Sequence, residues 1–297
     1  MSVPREIVPG RFYMITRRCT QRLFLLRPDP DTNNNVVYCL AEAAARFEID
    51  VLLPSVLSNH HHTVVFDRHG RIVEFVEHFH KMLAKCQNAL RGRWENHFSS
   101  EPVSLVHLVG VHDVIDKLVY AATNPVKDGL VERVHHWPGV NGLSELLNGR
   151  PMRARRPSHF FRPDGPMPAE VTLDLTLPPE LGDPSEILHT VRARVAEVEA
   201  EQAAQRAETG RSVLGRRRIL RQSWRDSPTS HEPRRTLNPR VAARSKWHRI
   251  EALRRNTEFV AAYRVARVAW LAGLQVVFPT GTYWLRRFAG VPVAATA

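Results

Sequence analysis

The feature that most limits what this chain can fold into is a change of hydrophobic period, from two residues to about 3.6 and back, repeated through its first half. Arg11 to Cys19 (RFYMITRRC) reads as a strand. Asn33 to Glu48 carries Val36, Val37, Leu40, Ala44 and Phe47 at helical spacing and starts at an asparagine cap. Ile49 to Leu57 and His62 to Phe66 are β-rich runs, and the short Ser58-Asn59 break between them predicts a hairpin. Arg71 to Leu90 returns to helical spacing through Ile72, Phe75, Phe79 and Leu83. Val103 to Val111 is β-branched and apolar, and Val114 to Thr123 is a short helix that Pro125 is expected to stop. The order is β-α-β-β-α-β-α. Its first six elements follow the ferredoxin-like split βαβ pattern, with one helix added. The fold class expected is therefore α+β: an antiparallel sheet with helices on one face, plus a mostly helical basic C-terminal region.

From about Val134 the texture changes. Residues 1–135 form the first expected domain. Residues 136–183 read as a connector, with the basic run RPMRARR over 150–156 and a strand over Val171–Leu177. Residues 184–297 read as a mostly helical basic domain, with helices over Pro184–Glu208 and Val241–Leu274, a basic cluster over Arg216–Arg221 and a proline-containing loop over 222–240. Charge divides along the same line. The chain has 42 Lys and Arg against 30 Asp and Glu. Residues 1–150 hold 17 basic and 16 acidic side chains, and residues 151–297 hold 25 and 14, so the second half carries +11 of the +12. Nearly all of that excess is arginine, whose planar fork suits phosphate, and a polyanion partner is expected for this half. The plainer reading is a soluble basic surface in an Arg-favouring genome.

Other features narrow the class. Cys19, Cys39 and Cys86 form no CxxC pair and give no disulfide framework. No basic head precedes an apolar core at the N-terminus, so no signal peptide is read. The longest apolar run, Val265 to Pro279, contains Arg267 and falls short of the ~20 residues of a membrane helix. A cytoplasmic protein without a membrane partner is the expectation.

Asn59-His60-His61-His62 sits between two β-runs. Alternate residues of a strand share a face, so His60 and His62 point together and His61 points away. Two imidazoles on one strand face make half of a divalent-metal site, although histidine clusters in turns are often merely solvated. Tyr120 and Asn124 are four residues apart, so on a helix they share a face. Were that face to meet the histidines, His60, His62 and Asn124 would be metal ligands and Tyr120 a nucleophile; by itself Tyr120 reads as a core tyrosine with its hydroxyl at the rim. Mixed N/O ligation fits Mg²⁺, with Mn²⁺ favoured by the imidazoles. In the second half, Arg216, Arg217, Arg218 and Arg221 with Trp224 make a candidate phosphate-gripping patch with a stacking aromatic, and Arg286 and Arg287 beside Trp284 a second.

SNHHHTVV and YAATNPVKDGLV, about sixty residues apart and in this order, resemble the motifs of HUH single-tyrosine transposases, in particular the REP-associated tyrosine transposases and their insertion-sequence relatives. GRWENHF, followed by a strand and a helix, lies between them in the family's order. The resemblance spans roughly residues 8–135, which would make 1–135 the catalytic domain and 184–297 a DNA-binding accessory domain. It implies a ferredoxin-like fold and Mg²⁺-dependent attack of Tyr120 on single-stranded DNA that contains a hairpin. It also implies a 5′-phosphotyrosine intermediate whose conserved bond energy allows rejoining. The family usually has a bulky apolar residue between the two histidines; here it is His61, which puts the packing of that strand face in question. The competing readings are a non-catalytic DNA- or RNA-binding regulator derived from a transposase, which has no need of the full residue set, and a metal-dependent hydrolase of small phosphoesters, which the +11 half disfavours. The sequence leaves the oligomeric state open, a dimer included.

The charge asymmetry generates a prediction. Each phosphate contact on a single strand contributes about −0.7 to the slope of log K against log salt, so four to six arginine contacts give roughly −3 to −4. Binding of a single-stranded hairpin oligonucleotide across a salt series should show that slope. Changing Arg216, Arg217, Arg218 and Arg221 together to Gln should make it shallower, and an unchanged slope would remove these arginines from the interface.

Overall fold

The computed structural model describes residues 4–230 and 238–295. The alternating first half forms β1 (Arg11–Arg18), α1 (Pro30–Phe47), β2 (Ile49–Val56), β3 (His60–Asp67), α2 (Ile72–Arg91), β4 (Ser104–Leu108) and α3 (Val111–Lys127). The sheet order is β2-β3-β1-β4, all antiparallel, which is the split βαβ arrangement in an α+β fold.

Local chemistry sets the ends of these elements. α1 opens earlier than the asparagine cap suggested: the Asp29 carboxylate accepts from the Thr32 N–H at 2.8 Å, and Pro30 takes the first turn, where no N–H is needed. Pro125 does not stop α3 but lies inside it, two residues from the end. The chain then turns off through Gly129, at φ +64°, and the Leu130 and Val131 N–H groups return to the Pro125 carbonyl. A bulge between Val51 and Leu53 of β2 sends Leu52 and Leu53 into the same core.

The sheet is apolar on both faces, so both must be covered. Tyr13, Ile15, Val51, Val65 and Leu105 face α1 and α2. Met14, Val64, Phe66 and Val106 face the opposite way, against Leu118, Ala121, Ala122 and Val126 of α3. The expectation of helices on one face thus describes α1 and α2, while α3 lies on the other face because alternate strand residues there are equally apolar.

The second half packs on this frame. A loop over 137–142 runs along β2: Trp137 Nε1 donates to the Val56 carbonyl at 3.0 Å, and a Cβ at Gly139 would stand 2.5 Å from that same Nε1. After α4 (Leu143–Asn148), the basic connector supplies β5 (Met152–Arg155), which pairs with β6 (Glu170–Leu173) in a two-stranded sheet over α1. α5 (Pro184–Thr209), capped by Asp183, buries Ile187, Val191 and Val195 against α3, and α6 (Arg216–Arg221) buries Ile219 in the same core.

The long C-terminal helix differs from its expected span. Val241 and Ala242 form β7, a short strand parallel to β4, because that edge offers free backbone groups: the His107 N–H reaches the Arg240 carbonyl and the Val109 N–H the Ala242 carbonyl. The sheet is therefore antiparallel only through its first four strands. α7 (Lys246–Leu271) starts at the Ser245 cap, and α8 (Trp284–Ala289) follows the turn at Phe278–Tyr283. Of the loop expected over 222–240, residues 231–237 lie outside those described. No helix among the described residues is long and apolar enough to cross a membrane.

Because Ile187 joins the core that α3 and the sheet share, Ile187→Ala should cost about 2–5 kcal/mol. It should shift one cooperative urea transition of the whole chain, followed by tryptophan fluorescence and circular dichroism together. A separate early transition confined to helical signal would mean that α5 folds on its own.

Candidate active site

β3 places the histidines as the pleat requires. His60 and His62 share the α3 face, with ring centroids 4.9 Å apart, and His61 faces α2. α3 crosses above them. Its positions 117, 120, 124 and 127 form one stripe, which carries Lys117, Tyr120, Asn124 and Lys127. The Tyr120 ring lies edge-on to His62 at 5.2 Å, and Asn124 Nδ2 lies 3.4 Å from His60 Nε2. The structure thus brings Tyr120, Asn124, His60 and His62 together.

The neighbours of each imidazole fix which nitrogen points inward. His60 Nδ1 donates to Asn59 Oδ1 at 2.7 Å, and His62 Nδ1 bonds the Thr16 hydroxyl at 2.8 Å. The Asn59 amide oxygen can only accept, so His60 carries its proton on Nδ1 and keeps the Nε2 lone pair; an Nδ1–H on His62 directed at the Thr16 hydroxyl would leave its Nε2 lone pair free as well. His62 Nε2 is buried and has no hydrogen-bond partner among the described residues. Such an orphaned lone pair beside a second Nε2 and an amide fits a divalent cation. Burial, reinforced by His60, His61 and Lys117, holds the His62 imidazole well below the ordinary histidine range, so it stays neutral. Among the described residues no group of three or more His, Cys, Asp or Glu is placed to hold a metal ion, so any cation here would need the Asn124 amide turned to present Oδ1, with outer oxygens, beside the two imidazoles.

Tyr120 is 38% exposed, enough to meet a macromolecule. Burial of its inner side, followed by Asp128, raises its phenol above the ordinary value, so it is protonated at neutral pH. Lys117 Nζ and Lys127 Nζ stand 5.3 and 5.8 Å from the ring centroid, so two cations flank the tyrosine. Tyr13, another tyrosine of the sheet, lies on the opposite face, 3% exposed, with its phenol pushed up to about 12 by burial.

The arginine cluster is also at this end of the molecule. Leu214 and Gly215 donate backbone N–H groups to the carbonyls of Gly129 and Leu130, just beyond α3. Arg27 donates to the Leu220 and Gln222 carbonyls, and the Phe24 N–H to the Asp226 carbonyl. α6 therefore runs from the end of the Tyr120 helix to the loop that follows β1, with Arg216, Arg217, Arg218 and Arg221 all exposed. Trp224 lies under two guanidinium groups, Arg225 at 4.8 Å and Arg93 at 5.8 Å. Arg286, Arg287 and Trp284 belong to α8, and Arg287 bonds the Tyr283 hydroxyl at 2.7 Å.

Thr16, Asn59, Lys117 and Lys127 were not singled out by sequence. Thr16 enters through strand register, being paired directly with His62 across β1 and β3. The two lysines were readable from helical spacing once Tyr120 was on a helix. His61, on the face away from the other two histidines, is both packed and hydrogen-bonded. Its Nε2 meets His80 Nε2 at 2.9 Å, its Nδ1 meets Thr63 Oγ1 at 3.0 Å, and it packs against Phe79 and Phe98.

No family model matches the chain, and no curated protein matches it. The solved structure of a REP-associated tyrosine transposase bound to a REP hairpin is similar over 49% of this chain and 84% of that one, at 17% identity and a TM-score of 0.42. That likeness assigns no residue; the roles weighed below rest on the geometry of the site.

The histidines on the α2 face make stability depend on pH. Burial drives His80 and His97 down to about 3, so both stay neutral in the folded chain. In the unfolded chain each takes up a proton below about 6.5, so stability falls as pH drops from there toward 3. Between pH 7 and pH 5 each should remove about 2 kcal/mol. Urea midpoints of the full chain across this range should fall, and His97→Gln should make the fall shallower; parallel curves would exclude His97 as a contributor.

Proposed function

We propose that this chain is a single-strand DNA nickase or transposase that uses Tyr120 as its nucleophile. The observation that carries the reading is an accessible tyrosine packed edge-on against His62, beside His60, with His62 Nε2 buried and without a hydrogen-bond partner among the described residues. In this reading His60, His62 and Asn124 hold Mg²⁺ or Mn²⁺. The cation, when bound, supplies Lewis-acid charge to a non-bridging phosphate oxygen. Tyr120 Oη attacks the phosphorus of a phosphodiester, releasing its proton to solvent at its exposed edge. The bond from phosphorus to the 3′ oxygen breaks, and that oxygen takes a proton from solvent and leaves as a 3′ hydroxyl. The 5′ phosphate stays on Tyr120 as a phosphotyrosine, and attack by another 3′ hydroxyl rejoins the strand and restores the tyrosine. Lys117 and Lys127 draw the phosphate toward the ring, and the pairing of Thr16 with His62 keeps Nε2 directed inward.

A nucleic-acid-binding regulator without catalysis is the second reading. It is favoured by a site built from two imidazoles and an amide, without three acidic, cysteine or histidine groups among the described residues. One experiment separates the two. Full-length chain is incubated with a labelled, hairpin-containing single strand and Mg²⁺, then run on a denaturing gel. A covalent adduct is expected. It should vanish in Tyr120→Phe with DNA binding retained, and vanish in His60→Ala, in His62→Ala and with EDTA. Thr16→Val should weaken Mn²⁺ affinity by about 10- to 100-fold with the fold intact. No adduct from the unsubstituted chain, with tight binding retained, favours the regulator; an adduct that survives Tyr120→Phe rules out this nucleophile.

A further inference from the structure

Trp94 is 89% exposed. Tryptophan is highly buried on average, so an indole standing free in water calls for a reason. A frayed loop is not the reason, because the backbone around it is fixed on both sides. Gly92 closes α2 at φ +59°, the Arg93 N–H donates to the Asn88 carbonyl at 2.8 Å, and Asn88 Nδ2 donates to the Glu95 carbonyl at 2.7 Å. One asparagine thus grips the chain immediately before and after Trp94.

The loop is also tied to the end of the sheet that carries the candidate active site. The Thr20 N–H donates to the His97 carbonyl, and the Ser99 N–H to the Arg18 carbonyl. Arg18 pairs with His60 across β1 and β3, and the Cys19 N–H reaches the Asn59 carbonyl. Next to Trp94 in sequence, the Arg93 guanidinium lies over the Trp224 ring, which Arg225 also covers. The backbone that carries Trp94 is thereby anchored next to Trp224, three residues beyond α6, and its two guanidinium groups.

We propose that Trp94, next in the chain to the Arg93 that lies over Trp224, is a platform on which unpaired bases of the bound strand stack while Arg93, Arg225 and the neighbouring arginines take the adjoining phosphates. This inference rests on the single-strand reading of the Tyr120 site and adds where the strand's bases go. Every base has a π-face, so such a platform accepts unpaired nucleotides without regard to sequence. Base pairs inside a duplex present no free face to it. The cationic surroundings match the polyanion that stacking would bring.

The test uses the full chain carrying Tyr120→Phe, so that binding is read without cleavage. Fluorescence anisotropy is measured with a labelled DNA hairpin bearing a single-stranded thymidine flank, and with the same hairpin lacking the flank. Trp94→Ala should weaken binding of the flanked hairpin by about 5- to 100-fold and leave the unflanked one unchanged. Trp94→Phe should retain most of the affinity. The salt slope should not move, since no charge is removed, whereas Arg93→Gln with Arg225→Gln should flatten it by about 0.7 per lost contact. Unchanged affinity of Trp94→Ala for the flanked hairpin overturns the proposal, as does an equal loss on both probes. Absence of a covalent adduct from the chain that retains Tyr120 would instead count against the nucleophile, and leaves this binding comparison intact.

Discussion

The pairing of β1 with β3 is the constraint on which the rest of the candidate site depends. Its register sets Thr16 against His62 and Arg18 against His60. A slip of one residue would turn His60 and His62 toward α2 and put His61 under Tyr120. The slip is opposed by the core on both faces, because it would also exchange Val65 for Val64 and Phe66 between two differently shaped layers. Orientation of the imidazoles is thus secured by packing several residues away, not by the histidines themselves.

The same pleat separates two chemistries that a run of three histidines would otherwise mix. On the α3 face, His60 and His62 lie side by side under Tyr120 and Asn124, with cations from Lys117 and Lys127 nearby. On the α2 face, His61 bonds His80 inside an aromatic cage of Phe79 and Phe98. The cost of burying a polar imidazole is offset there by a partner that is itself an imidazole, which is how this strand accommodates a third histidine.

Much of this was legible in the sequence because it depends on local spacing. The order of strands and helices, the shared face of His60 and His62, and the stripe of Tyr120 and Asn124 follow from periods of two and 3.6 residues. What was not legible depends on contacts across the chain. Nothing near Thr16 announces that it will meet His62. Val241 and Ala242 have ordinary helix-compatible neighbours and become a strand only because β4 leaves an edge beside them. Pro125 was expected to end a helix, but the stop is set by the turn at Gly129. The placement of α6 beside α3 required backbone groups 85 residues apart, Gly129 with Leu214 and Leu130 with Gly215, to find each other.

That last contact bears on how such a chain can change over time. The carbonyls of Gly129 and Leu130, at the end of the tyrosine-bearing helix, are met by N–H groups of Leu214 and Gly215. The basic half is therefore not a detachable cassette hung from a linker. Exchanging it for an unrelated module by recombination would leave these carbonyls, and the flank of α3 that α5 covers, without partners. Change in the basic half is therefore confined to point substitutions on its exposed arginine face, with the buried seam kept as it is.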